Sequence, residues 1–433
     1  MITARHIRSV YRTVNDEMLV YAGPLEIPVN GSTEVTEGDL VISFSPRPAL
    51  QARLAGPEEW LHNLALNGDP PREVTVPTGS SLTPPSGSAV PTQPQPGPWM
   101  EVPLRLIKVD AGDFSAAVRL IFHVVGRVTS SPLPQVPTVV GRQGQVRFSL
   151  PGWDLVLAVA DDQPFGDQLS FMVDAMPNTG QTISSEAVET LGLLLQRILG
   201  FVSGSNVGVV PALGLDASDD VVAARWATRQ VNLDHTPLRW CYEGDVATAL
   251  PQLAAGRTQL EADDPVLAQC LDRAIALHLA ANGQEVLDVK LPVACSGLEL
   301  LAWSVLQQYD WLSPRATESL KAPGRAQLLL KWAEIPTDLP PSMPALAQRR
   351  GKINQPAFQA VELAINVRNK IVHPPNNIRS VEWPSGEELF EAWQFTTWCL
   401  ELGILRLLEY RGNYRSRLQL GSWSGRVESV PWK

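Results

Sequence analysis

Three side chains near residue 370 have the types and the spacing that acid–base chemistry on a phosphate requires. Arg368 and Asn369 are adjacent, and His373 follows five residues after the arginine. An imidazole titrates near neutral pH, so His373 can take or give a proton. The planar guanidinium of Arg368 can bind phosphoryl oxygens, and Asn369 can orient either group. The RN-x3-H motif is the segment Arg368-Asn369-Lys370-Ile371-Val372-His373.

The spacing from arginine to histidine does not by itself single out this site. Four residues also separate Arg273 from His278, as many as separate Arg368 from His373. Only the second pair has an asparagine beside the arginine, and only there does a proline, Pro374, follow the histidine. A residue before proline is disfavoured in the α conformation, so His373 is predicted to end a helix. His278 is predicted to lie within a helix, and we therefore expect the chemistry at the second pair.

A helical domain is predicted to position the motif. From Asp264 onward, apolar residues recur at the spacing of one helix face, and Pro265 fits the first helical position. A Pro-rich insertion, Pro336 to Pro344, separates two groups of helices. The predicted helices are 265–282, 293–309, 320–332, 356–373 and 386–410. Short connections favour an antiparallel bundle.

The first half of the chain is predicted to be rich in β-strands. Short apolar stretches such as 40–44, 118–122 and 154–159 lie between Gly and Pro turns, and Pro103 predicts an edge strand. The stretch 70–98 contains nine prolines and is predicted to be a loop, and a helix is predicted at 185–199. The expected fold class is α+β, with a β-rich domain over residues 1–250 and a helical domain over residues 251–433.

The motif and the helices around it, over about residues 264–412, resemble the HEPN superfamily. Its signature is an arginine, often followed by asparagine, and a histidine four to six residues after the arginine at a helix end. The segment Leu298-Glu299-Leu300-Leu301 looks like the acidic position that many members place opposite the motif. The segment 194–226 and the β-rich region before it loosely resemble the N-terminal portion of bacterial abortive-infection HEPN proteins of the ApeA-like group.

This resemblance implies a metal-independent endoribonuclease. In active members the ribose 2′-OH attacks the adjacent phosphorus and leaves a cyclic phosphate, which confines the reaction to RNA. The implied catalytic residues are Arg368, Asn369, His373 and Glu299. Nearby cations would position the RNA backbone, namely Lys370, Arg349, Arg350, Lys352 and Arg379. A homodimer that brings two motifs face to face is expected, because one histidine does not easily serve as both acid and base.

The setting implied by the resemblance is bacterial antiphage defence or a toxin-like system. The β-rich domain would then sense a phage-derived trigger or restrain the helical domain. Two alternatives remain: a non-catalytic HEPN module that binds a nucleotide or RNA, and a partner-binding module, for instance for a nucleotidyltransferase. A purely structural role is open as well, since arginine and histidine both stabilise helix C-termini. Glu299 is predicted either to pair with Arg368 or to face solvent.

Composition narrows the remaining classes. Residues 314–433 contain 16 Lys and Arg against 11 Asp and Glu, a surplus of 5, while the whole chain has a net charge of −10. This asymmetry suits a C-terminal part that meets a polyanion. The four cysteines are far apart in sequence and predict neither a disulfide framework nor a zinc site, and no cofactor motif is present. No signal peptide or membrane span is expected. Together these expectations favour a cytoplasmic location. The 13 tryptophans are candidates for base stacking or for the core.

Overall fold

The structure, a computed structural model, divides into two compact units. It describes residues 18–29, 32–43, 49–54, 74–77, 103–106, 108–129, 144–159, 171–178, 181–233, 238–309, 311, 313–353, 358–373, 382–419 and 427–432. The first unit comprises residues 1–196 and 207–233, and the second comprises residues 197–206 and 234–433. The predicted boundary at residue 250 stays a prediction about domain organisation.

The first unit contains two antiparallel sheets. The four-stranded sheet has the order β1-β2-β3-β4, and the seven-stranded sheet has the order β5-β11-β10-β6-β9-β8-β7. The strands are β1 (Met18–Val29), β2 (Ser32–Ser43), β3 (Ala49–Leu54), β4 (Pro103–Leu106), β5 (Lys108–Gly112), β6 (Arg119–Val125), β7 (Gln145–Leu150), β8 (Trp153–Val159), β9 (Phe171–Pro177), β10 (Gly208–Leu215) and β11 (Val221–Ala227).

The strand predictions are confirmed where the structure describes them. The apolar stretches fall in β2, β6 and β8, and Pro103 begins β4, an edge strand whose edge position tolerates a missing N–H. Strand β4 ends at Leu106, and β5 begins two residues later at Lys108 but belongs to the other sheet. Most of the Pro-rich stretch 70–98 lies outside the described residues, apart from residues 74–77.

The helix predicted at 185–199 is present as α1 (Ser185–Ser203). Its predicted apolar stripe is buried, as Val188, Leu191, Leu195 and Ile198 show. Residues 197–203 of this helix group with the second unit, together with the segment that follows them. No sequence pattern marks that change, because the apolar stripe continues through it.

The second unit is mainly helical, so the fold class is α+β, as predicted. Its helices are α2 (Val246–Asp263), α3 (Pro265–Ala281), α4 (Leu287–Gln308), α5 (Pro314–Ser319), α6 (Ala322–Trp332), α7 (Pro344–Lys352), α8 (Ala360–Val372) and α9 (Gly386–Leu407). Two short strands follow, β12 (Asn413–Arg415) and β13 (Val427–Ser429), which pair with each other.

Three of these helices were not predicted, and two begin four or more residues from their predicted start. Helix α2 contains Pro251 and has a weak apolar stripe, while α5 and α7 are short and begin with proline. Helix α4 begins at Leu287 rather than Val293, because Pro292 lies inside it and removes one hydrogen bond without ending it. Helix α8 begins at Ala360 rather than Pro356.

Helix α4 is the central helix of the second unit. It packs against α3, α6, α8 and α9. Gly297 and Gly403 allow a close approach of α4 and α9, since a Cβ at either position would lie within 2.8 Å of a leucine side chain. Within the described ranges, α4 alone is long and apolar enough to cross a membrane, but 56% of the window concerned is buried in the protein. That burial is typical of a core helix.

Candidate functional site

Helix α8 places the RN-x3-H motif at its C-terminal end. A capping box fixes its start, where the Gln359 backbone N–H donates to Glu362 Oε2 at 2.9 Å. Its apolar face is fully buried, from Ala360 and Val361 to Val367. Burial of that face sets the rotation of the helix, so Arg368, one residue after the last buried position, stands at the margin of the core.

Arg368 links two other residues of the predicted set. Its Nη2 group forms an ion pair and a short hydrogen bond with Glu299 Oε1 on α4, and its Nη1 group donates to Asn369 Oδ1 at 3.0 Å. The side chains are largely shielded, with 15% of Arg368 and 24% of Glu299 exposed. Of the two predictions for Glu299, pairing with Arg368 is therefore the one observed, because a lone carboxylate at that depth requires a partner.

Cys295 lies beneath this pair and had not been singled out. It precedes Glu299 by one helical turn on α4 and is fully buried. Burial raises the pKa of its thiol to about 12, and both Arg368 and Glu299 lie close enough to act on it electrostatically. The thiol is therefore a neutral, poorly solvating surface beneath the ion pair. The sequence could have indicated this contact, because Cys295 lies four residues before Glu299 and therefore on the same side of the helix.

His373 ends the helix, as predicted. Its backbone leaves the helical region with φ −128° and ψ 74°, while its N–H still donates to the Asn369 carbonyl oxygen at 2.9 Å. The side chain is exposed. Among the described residues it forms no hydrogen bond or ion pair, so its ring can reorient toward a bound group. The structure thus brings Arg368, Asn369 and Glu299 into contact and leaves His373 one turn away at the surface.

The predicted RNA-binding cations differ in their surroundings. Arg349 is only 4% exposed, donates to Asn366 Oδ1 at 3.1 Å and pairs with Glu388 at 3.4 Å. Asn366 is about 200° around the helix from Arg368, so Arg349 lies on another face and is a structural residue. Lys352 is exposed, and Arg350 and Lys370 are half-buried. Arg379 lies outside the described residues.

The competing pair Arg273 and His278 does not form a site. Arg273 is exposed, whereas His278 is fully buried with its Nε2 2.9 Å from Glu401 Oε1. Arg417 completes this network, since its Nη2 and Nε each lie 2.7 Å from a Glu401 oxygen. Arg417 is buried, and its sequence position in a basic stretch does not make it a surface cation. Within the described part of the chain His278 is 0% exposed and paired with Glu401, so its ring is not open to a substrate.

Three helix ends meet where His373 lies. Lys290, early in α4, has its Nζ 4.8 Å from the ring centroid of Trp393, early in α9. Arg349 joins the second half of α8 to the first turn of α9 through Asn366 and Glu388. The start of α4, the start of α9 and the end of α8 are therefore neighbours. Five exposed apolar side chains belong to these helix ends or to the segment that leads into α9, and they are called the apolar end: Val286, Val289, Val372, Trp383 and Phe390.

Comparison with known proteins shows that part of this unit is similar to a recognised sequence family. Residues 264–429 match the YopA C-terminal domain. The chain is 20% identical over 307 residues to the SPbeta prophage-derived uncharacterized protein YopA of Bacillus subtilis (strain 168). That similarity covers 67% of this chain and 66% of the relative, just under two thirds of its length. No solved structure is significantly similar to the chain.

Proposed function

We propose that the protein is a metal-independent endoribonuclease of the HEPN type. The observation that supports this most directly is the contact of Glu299, Arg368 and Asn369 at the end of a helix that terminates in an exposed histidine. The resemblance to the HEPN superfamily includes an acidic position opposite the motif, and the contact of Glu299 with Arg368, 69 residues later, agrees with that expectation.

Arg368 is suited to bind the scissile phosphate. A guanidinium has five N–H donors; Arg368 directs one toward Glu299 and one toward Asn369, and the Cys295 thiol also lies against the group. The remaining donors are fixed in direction because both contacts hold the plane of the group. A prealigned cation stabilises the negative charge that develops on the phosphoryl oxygens in the transition state.

His373 would move the proton. Attack of the 2′-oxygen on phosphorus breaks the bond to the 5′-oxygen, so one proton leaves the 2′-OH and one reaches the leaving group. The products are a 2′,3′-cyclic phosphate and a 5′-hydroxyl, and no water or electron is consumed. An imidazole at the surface can serve either step, and a second His373 from another protomer can serve the other.

The apolar end supports a homodimer. Five apolar side chains at these helix ends and in the segment before α9 are exposed, although Phe390 among them also packs on the ring of Trp393. Patches of this kind, bordered by polar groups, are typical of interaction surfaces. A twofold axis through the apolar end would bring two His373 side chains toward each other, which is the arrangement that the acid and base roles require.

A cytoplasmic role in antiphage defence or as a toxin-like protein is the proposed setting. A similar protein is by its name derived from a prophage, which fits a role in conflict between phage and host. The β-rich unit, with its separate core, would carry the sensor for a phage-derived trigger or the restraint that a ribonuclease in a living cell needs.

A non-catalytic RNA- or nucleotide-binding module is the second candidate. The observation that favours it is the ion pair itself, because Glu299 neutralises part of the charge that Arg368 offers to a phosphate. The two candidates differ in turnover: a binding module retains RNA affinity that falls with salt and leaves the RNA intact.

Expression in cells tests the proposed function. We expect the wild-type chain, once triggered, to arrest growth and fragment RNA, and Arg368→Ala and His373→Ala to do neither. Arg273→Ala is the matched control, since Arg273 begins the same spacing on a surface without a site. Intact RNA with the wild type under every trigger, or equal fragmentation with His373→Ala, would contradict the proposal.

A further inference from the structure

Trp303 is an exposed tryptophan on the helix that carries Glu299. It is 44% exposed and follows Glu299 by four residues on α4. Residues four apart in an α-helix are neighbours on one face, separated by about 6 Å along the axis. Its indole therefore stands beside the carboxylate that holds Arg368.

Trp303 lies among polar residues on the solvent-facing side of α4. Ser296, Glu299, Trp303 and Gln307 recur at helical spacing and are exposed or half-buried, whereas Cys295, Leu298, Leu301, Ala302 and Val305 are buried. An indole stabilises a fold when it is buried, so an exposed one contributes little to the stability of this unit. An aromatic face that is open beside an anion-binding arginine is suited to stack on a nucleobase.

The order of the groups along the surface fits a nucleotide chain. His373 lies toward the start of α4, because the end of α8 and the starts of α4 and α9 are neighbours. Trp303 lies one turn from Glu299 in the opposite direction. The pair of Arg368 and Glu299 is therefore between the histidine and the tryptophan, with the phosphate site in the middle.

We propose that Trp303 stacks on the base of the nucleotide next to the scissile phosphate, on the side away from His373. This inference rests on the proposed function and specifies its substrate: RNA that is single-stranded at the cleavage site, since a base within a duplex cannot present its face to an indole. Stacking tolerates any base, so Trp303 selects an unpaired nucleotide rather than a sequence.

Binding of a non-cleavable RNA to the full-length protein tests this inference. The probe is a short single-stranded RNA with a 2′-O-methyl group at the scissile nucleotide, compared with probes in which one neighbouring base at a time is removed. We expect Trp303→Ala to weaken binding about 10-fold, a typical value for one lost stack. Trp303→Phe should retain most of the affinity, and Trp311→Ala, which alters another exposed tryptophan, should bind like the wild type.

The decisive comparison is between the variants and the abasic probes. Removal of the stacked base should abolish the difference between wild type and Trp303→Ala at one position and leave it intact at the others. Equal affinity of Trp303→Ala and wild type for the complete probe would overturn the inference, as would a change in oligomeric state that accounts for the loss. Base-dependent binding through Trp303 without cleavage of ordinary RNA would instead contradict the proposed catalysis alone.

Discussion

The contact between Arg368 and Glu299 is the feature on which the site depends at the scale of residues. Glu299 holds the guanidinium from α4, and Asn369 holds it from its own helix. Because two contacts fix a planar group in place, the proposed binding of a phosphate would need little reorganisation. The Glu299 carboxylate therefore offsets part of the positive charge of Arg368 but fixes the direction of the N–H donors of that guanidinium.

Glu299→Gln should reduce RNA cleavage while the fold is retained. The amide keeps the size of the side chain but not the charge-assisted hydrogen bond, whose contribution is about 1.5–3 kcal/mol, so a loss of roughly 10- to 100-fold in kcat/KM is expected. Thermal unfolding should shift to a lower temperature, because the largely shielded Arg368 loses its charged partner, so kcat/KM is compared well below the transition. Glu334→Gln, which removes a carboxylate from the exposed pair with Arg406, serves as the control. Wild-type kcat/KM in Glu299→Gln would show that the pair has no positioning role.

The sequence identified most of this site, for reasons that lie in local chemistry. The proline after His373 predicted the helix end, and Asn369 distinguished the motif from Arg273 and His278. Pairing of Glu299 with Arg368 remained open, since a contact between residues 69 apart depends on how α4 and α8 pack. The sequence also did not show the burial of Arg349, because its partners Asn366 and Glu388 lie on two other helices; that Arg349 binds RNA stays a prediction.

At the scale of elements, the apolar end is formed by termini of three helices. Val286 and Val289 belong to the start of α4, Val372 to the end of α8, and Phe390 to the start of α9. None of these residues stands out in the sequence, because each belongs to an apolar helix whose other members are buried. Only the arrangement of the helices brings these termini to one end of the unit.

Val289→Asp and Phe390→Asp should convert a dimer to a monomer. A carboxylate introduced into an apolar contact would lose its hydration without gaining a partner. That cost is large enough to prevent association through an interface of ordinary size. Val266→Asp is the matched control, since Val266 is an exposed valine at the start of α3, away from the apolar end. Light scattering coupled to gel filtration measures the mass. A wild-type monomer, or variants that remain dimeric, would count against this interface.

At the scale of the whole molecule, each unit buries a histidine in its interior. Burial lowers the pKa of His123 in the β-rich unit to about 4, and burial also lowers the pKa of His278 in the helical unit. Glu401 remains charged beside His278: burial alone would raise its pKa, but Arg417 and His278 outweigh that effect and lower it. The fold class could be predicted from the periodicity of apolar residues in the sequence. These buried networks could not, because polar residues within a helical pattern are expected to lie on the surface.

Stability should fall on mild acidification. In the unfolded chain a histidine binds a proton as the pH drops through about 6.5. In the folded chain the lowered pKa keeps the same histidine neutral. The free energy of unfolding therefore decreases as the pH falls from about 6.5 to the pKa of the folded state. His278→Gln should remove part of that decrease, and His373→Gln, which alters an exposed histidine, should not. Urea unfolding at pH 7.5 and 5.5 measures it. A free energy of unfolding that is equal at the two pH values would contradict the neutral burial of these histidines.

The chemical ends of cleaved RNA test the central claim most directly. Purified, triggered protein is incubated with a single-stranded RNA in excess EDTA, and the product termini are identified by mass spectrometry for the wild type and for His373→Ala. We predict 2′,3′-cyclic phosphate and 5′-hydroxyl ends from the wild type, with a loss of at least about 100-fold in rate for His373→Ala. Cleavage that EDTA abolishes, ends with a 5′-phosphate, or an equal rate for His373→Ala would contradict the account.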